Sequence, residues 1–211
     1  TGDLKFPYAQ VFIDRVSRYA DVIPLRSRSE VGSALVTFVC RHFTPLVLIS
    51  DNISENHGGD LAEQCRKRDI KQLFTCPYHL QMDFAEGYIG RITTMASFGM
   101  VYSGAPLFMW VWGVKTAVFV DKIMASYYSI QQVWATPYEL VHGEPFPDAS
   151  IIVPFGCGVL VLLRKSDRAK FKSGCALMIF VTVAMVRQVL VVEKRAIGVL
   201  FSRGTLITSI E

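Results

Sequence analysis

From Ser97 to Val120 the chain is apolar almost throughout, with Lys115 its one charge. A stretch of that length either crosses a membrane or is buried inside protein. Gly104-Ala105-Pro106 divides it near the middle. Proline lacks the amide hydrogen a helix needs and clashes with the preceding turn. The stretch is therefore read as two helices packed in a core, with no membrane partner. The apolar run from Gly174 to Val186 is closed by Arg187 and Gln188, short of the ~20 residues of a span.

A core of that size fits the rest of the composition. Of 211 residues, 51% are hydrophobic and 19% charged, which excludes disorder for most of the chain. The formal charge of +4 is unevenly placed, since residues 164–211 hold 9 basic and only 3 acidic side chains. A near-neutral body with a basic end excludes a wholly basic coat and points to a polyanion contact near the C-terminus. The run 164–172 (RKSDRAKFK) supplies Arg164, Lys165, Arg168, Lys170 and Lys172 as candidate contacts to nucleic-acid phosphates. The five cysteines, Cys40, Cys65, Cys76, Cys157 and Cys175, show no C-x-x-C spacing. They read as reduced thiols rather than disulfides or zinc ligands. The chain opens on Thr1 without a signal-peptide pattern. It is expected to be a piece of a longer intracellular product, nuclear or cytoplasmic.

Hydrophobic periodicity places the elements. Strands are expected at Tyr8–Asp14, Tyr19–Leu25, Pro45–Ser50, Ile70–Cys76 and Val159–Leu163. The continuous run PLVLIS at 45–50 reads as a strand buried on both faces. Helices are expected at Ser29–Cys40, with Ser29 as its cap, at Asp60–Arg68, and from Gln81 onward through the two apolar halves. Asp121–Gln132 reads as loosely patterned polar chain. Thr136–Pro147, with three prolines, reads as an extended connector. The order strand, strand, helix, strand, helix, strand, helix predicts an α/β fold with a mixed sheet flanked by helices.

In such sheets chemistry gathers at the carboxyl ends of strands. Asp51 ends the PLVLIS run, and Glu86 lies in the first turns of the helix that follows Pro77-Tyr78. Two carboxylates facing one cleft repel each other when empty and suit a hard divalent cation. The alternative is a turn-capping Asp51 and a solvated Glu86.

Several motifs resemble, in order and spacing, those of copia-type retrotransposon integrases. Residues 11–31 (VFIDRVSRYADVIPLRSRSEV) are similar to that family's F-I-D-x-x-S-R-Y strands. SDNISEN at 50–56 resembles S-D-N-G-x-E, and CPYHLQMDFAE at 76–86 resembles P-Y-x-P-Q-x-N-G-x-x-E. APLFMWVWGVKTAVF at 105–119, TPYELVHGEPFPD at 136–148 and VPFGCGVLV at 153–161 are similar to the segments that follow.

The resemblance covers residues 8–181. It implies a ribonuclease H-like mixed sheet flanked by helices, with an irregular C-terminal extension. It divides the chain into a catalytic core at 1–125, a post-core segment at 126–181 and an unassigned tail at 182–211. The implied reaction is DNA integration by metal-dependent phosphoryl transfer. Asp51 and Glu86 then fall on the second and third catalytic carboxylates and hold Mg²⁺ or Mn²⁺. The implied partners are retroelement ends, target DNA and further copies of the chain. The first catalytic aspartate falls at or before Thr1, because Asp14 matches a non-catalytic position. Asp3 substitutes only if the first hairpin is shortened. The expectation is an impaired integrase core, with a non-catalytic nucleic-acid-binding relic as the alternative.

Overall fold

The computed structural model describes residues 6–50, 59–74, 82–128, 132–147, 152–162, 175–184, 188–193 and 207–208. Strands β1 (Tyr8–Ile13) and β2 (Ala20–Leu25) form an antiparallel hairpin in which Val11 stands opposite Val22. Side chains alternate across a strand, and both faces of this hairpin are covered. Phe12, Ile23 and Leu25 pack with helix α1 (Val31–Arg41) and helix α2 (Asp60–Lys67). Ala9, Val11, Ile13, Ala20 and Val22 pack with helix α3 (Met82–Ser103) and helix α4 (Trp110–Ile123). The hairpin is thus the middle of three layers.

Helix α1 buries Gly32, Ala34, Leu35 and Phe38 at helical spacing. Its cap lies earlier than expected: Ser27, not Ser29, accepts the Ser29 amide at the start of a 3₁₀ turn, Arg28–Glu30, that leads into the helix. Strands β3 (Val47–Ser50) and β4 (Lys71–Phe74) pair in parallel, connected by α2. The expected double-faced burial of the PLVLIS run is corrected here. Leu48 joins the core of α1 and α2, but Val47 and Ile49 are exposed, as is Leu73 of β4. No described element covers that second face.

The apolar stretch divides as its sequence demands. Helix α3 ends at Ser103, Gly104 turns with φ +65°, and Pro106 caps a 3₁₀ turn, Leu107–Met109, that opens α4. Among the described residues no helix is long and apolar enough to cross a membrane.

Two later expectations change. Helix α4 runs on to Ile123, and strands β5 (Ser126–Tyr128) and β6 (Val133–Ala135) form a short hairpin where loose polar chain was expected. The proline-rich connector contains helix α5 (Pro137–His142). Pro137 occupies its first turn, where no amide hydrogen is needed. Thr136 and Glu139 bond reciprocally as a capping box, at 3.0 and 2.6 Å.

Beyond it, Phe155 seats against Met100 and Met109. Strands β7 (Gly158–Leu162), β8 (Cys175–Ala184), β9 (Gln188–Glu193) and β10 (Ile207–Thr208) then form an antiparallel meander in the order β10-β9-β8-β7.

The tightest helix contact is that of α1 with α2. A Cβ on Gly32 would stand 2.7 Å from the backbone carbonyl carbon of Asp60, closer than packed atoms tolerate. Gly32→Ala is expected to destabilise the chain by about 1–3 kcal/mol, measured by urea unfolding; an unchanged midpoint would contradict this packing.

Candidate functional site

Glu86 lies on the fifth residue of α3, exposed, and makes no ion pair or side-chain hydrogen bond with a described residue. Asp51 follows Ser50, the last residue of β3, and lies outside the described residues. So do Asp3, Arg164, Lys165, Arg168, Lys170 and Lys172. Asp14 is described and is used locally. Its carboxylate accepts the Ser17 amide at 2.7 Å and the Ser17 hydroxyl at 2.6 Å, holding the β1–β2 turn.

The position of Glu86 is set by what anchors its helix. Tyr88, Ile92, Ala96 and Met100 recur every four residues and form the buried stripe of α3. Glu86, two residues before Tyr88, therefore lies on the opposite, open face. Gly113 of α4 lets the helices approach, since a Cβ there would meet Met100 Cγ at 3.2 Å.

Beside the stripe, Arg91 of α3 makes a bidentate pair with Asp121 of α4, at 2.7 and 3.2 Å. Burial pushes the Asp121 carboxyl above its ordinary range, and Arg91 opposes that shift. The Tyr88 hydroxyl is buried next to the same carboxylate, and its proton loss is pushed up by burial and by the Asp121 charge. Hydrophobic periodicity does not reveal this pair, because by pattern Asp121 opens a loosely polar stretch. Its one sequence signal is an acid at the end of an otherwise apolar helical run.

A second buried polar cluster ties β2 to the end of α1. Asp21 lies 2.9 Å from His42 Nε2 and 3.6 Å from the Arg41 guanidinium. Tyr19 is wholly buried, with its hydroxyl 3.4 Å from His42 Nδ1. Burial and the Asp21 charge push its proton loss up to about 12. Lys122 of α4 stands 4.6 Å over the Tyr19 ring, and burial pulls its ammonium below the usual lysine range.

As a metal donor, Glu86 offers a hard, open carboxylate of the type that Mg²⁺ and Mn²⁺ take. The described residues contain no group of three or more His, Cys, Asp or Glu able to hold an ion.

Two outcomes follow from the buried pairs. Arg91→Met leaves Asp121 buried without its partner. Because Arg91 is about half exposed, the cost is expected to be about 1–2 kcal/mol. It should vanish when Asp121→Asn is made in the same chain, read by a double-mutant cycle in urea.

Burial works against the charge of Asp21, yet the His42 hydrogen bond and the Lys122 and His42 charges outweigh it and hold the carboxyl below 3.8. A lowered folded-state value stabilises the fold above the unfolded value and is lost as pH falls through the folded one. Asp21→Asn is therefore expected to be less stable than the parent at neutral pH, with the gap closing below pH 3.8. A gap that persists in acid would contradict the assignment.

No protein-family model and no curated protein matches the sequence. Solved structures do. The HTLV-2 integrase catalytic core domain in complex with magnesium, trimeric form, superposes with a TM-score of 0.52 at 16% identity, over 64% of this chain and 84% of that one. The dimeric form of the same domain gives 0.50 at 18% identity, over 64% and 83%. The simian T-cell lymphotropic virus intasome, in complex with PP2A regulatory subunit B56 gamma, gives 0.54 at 15% identity, over 94% of this chain and 69% of that one. The chain therefore has the mixed α/β, ribonuclease H-like fold of integrase catalytic cores.

Proposed function

We propose that this chain is a DNA integrase core of the copia type, working by divalent-metal phosphoryl transfer. The observation that carries the reading is Glu86. Within an integrase-core fold it stands open at the start of α3, on a helix fixed by a buried stripe and an ion pair. Two similar structures, the HTLV-2 cores, are named as magnesium complexes, which supports Mg²⁺ or Mn²⁺ as the ion. They are named as trimeric and dimeric forms, which supports self-association. The intasome likeness supports retroelement ends and target DNA as partners, with action in the nucleus or cytoplasm.

Asp51 and Glu86 are the residues that would hold the ion. A bound divalent ion supplies charge stabilisation at the transferring phosphate and a more acidic attacking oxygen. The chain's own part is to present Glu86 from the anchored helix α3, with Asp51 supplied by the residue after β3. The basic run Arg164, Lys165, Arg168, Lys170 and Lys172 draws the DNA backbone by counterion release. The units proposed are a core at 1–125, a post-core segment at 126–181 and a tail at 182–211.

The test is cutting and joining of DNA ends with Mg²⁺ or Mn²⁺. Glu86→Gln and Asp51→Asn are each expected to lower metal-dependent product by roughly tenfold or more, since even residues that only support metal ligands cost 10–100-fold. Product that is unchanged in both variants removes the chemistry and leaves a nucleic-acid-binding relic.

A further inference from the structure

The β5–β6 hairpin carries an aromatic surface that neither the fold nor the proposed chemistry uses. Tyr127 and Trp134 are directly opposite in its register. Side chains alternate along a strand, so the neighbouring Tyr128 points the other way. It is buried, with its hydroxyl donating to the Ser17 carbonyl at 2.8 Å. Tyr128 and the buried Ala135 thus anchor the hairpin to the body. Tyr127 and Trp134 stand outward with ring centroids 5.7 Å apart, 47% and 71% exposed. Cross-strand pairing accounts for their mutual contact, but not for a tryptophan left largely in water.

The charges around this pair select a partner. The hairpin docks on the β1–β2 turn, which presents Arg15 exposed. In the same turn Arg18 lies with its guanidinium 5.0 Å over the Tyr128 ring. Asp121 is paired with Arg91, and Asp14 accepts from Ser17, so the turn at 14–18, with two arginines and one aspartate, keeps a net positive charge. The hairpin's own described residues carry no acid.

We infer that Tyr127 and Trp134 form a base-stacking platform for single-stranded nucleic acid, with Arg15, exposed in the turn on which the hairpin docks, to meet the phosphates. Unpaired bases present free π-faces that stack on aromatic rings, and arginine tracks the backbone. Duplex bases are already stacked on one another and cannot occupy the pair in this way. The platform involves neither Asp51 nor Glu86 and needs no divalent ion, so it stands apart from the integrase reading.

The experiment is a fluorescence titration of the full chain with an oligothymidylate of about 12 nucleotides, within the usual site sizes, in the presence of a chelator. Failure of metal chemistry then has no bearing on the result. Trp134 is the exposed one of the three tryptophans, Trp110 and Trp112 being partly buried. Bound oligomer is expected to quench emission and to shield Trp134 from acrylamide. Trp134→Ala is expected to weaken binding about 5- to 150-fold, with Trp134→Phe retaining most of it. Arg15→Gln is expected to lower the salt slope by about one. Absence of shielding in the unaltered chain overturns the proposal whatever the variants' stability. So does a folded Trp134→Ala chain that binds as the parent does.

Discussion

The face of the β1–β2 hairpin that α3 and α4 share governs most of what the molecule presents. Four alanines let the layers approach there, Ala9 and Ala20 on the strands, Ala96 on α3 and Ala117 on α4, among larger side chains such as Val22, Ile92 and Val118. Where side chains are small, backbones approach closely, and dispersion contacts in a dense interior fix the helices' rotation about their axes. Rotation is what matters for Glu86. Turning α3 by one residue would swing Glu86 around the helix axis and bring the Tyr88 stripe out of the core. The Arg91–Asp121 pair acts at the same joint. It fixes the register of α3 on α4, because a bidentate pair tolerates little sliding.

The second face of the hairpin works differently. Phe12, Phe38, Leu35 and Leu61 make a conventional apolar core, and Asp21, His42 and Tyr19 close its edge with polar contacts. Lys122 joins the two halves, since it belongs to α4 yet stands over Tyr19. Burial disfavours the charge of Lys122, while the Tyr19 ring face and the Asp21 carboxylate favour it. The two layers of helices are therefore coupled through one residue's electrostatics as well as through the strands.

Much of this was legible in the residues. The period-2 pattern of the first hairpin, the helical spacing of Val31 to Val39 and the Pro106 break all fold as their local chemistry dictates. The position of Glu86 on an early turn of a long helix was legible as well. The failures share a cause. PLVLIS carries no record of which elements will cover it, so apolarity on both faces was taken for burial on both. Thr136–Pro147 was judged by its proline count, although proline in a first turn, with threonine before it and glutamate two residues after it, is a helix start. Asp121 was taken as the onset of polar chain because its partner, Arg91, lies far away in sequence. Tertiary pairs of that kind leave almost no local trace.

The separation of the two strand pairs has a mechanical consequence. Among the described residues, β1 pairs only with β2, and β3 only with β4. Among the described residues no backbone ladder runs between them, and the side chains of α1 and α2 pack at their junction. Hydrogen-bonded sheets resist sliding along the strands, whereas an apolar seam yields at much lower load. Pulled apart along that seam, the chain would open as two blocks, each with its own strands intact. Load applied between the two described strand pairs would therefore fall first on the packed side chains of the α1–α2 seam, where Gly32 sets the approach.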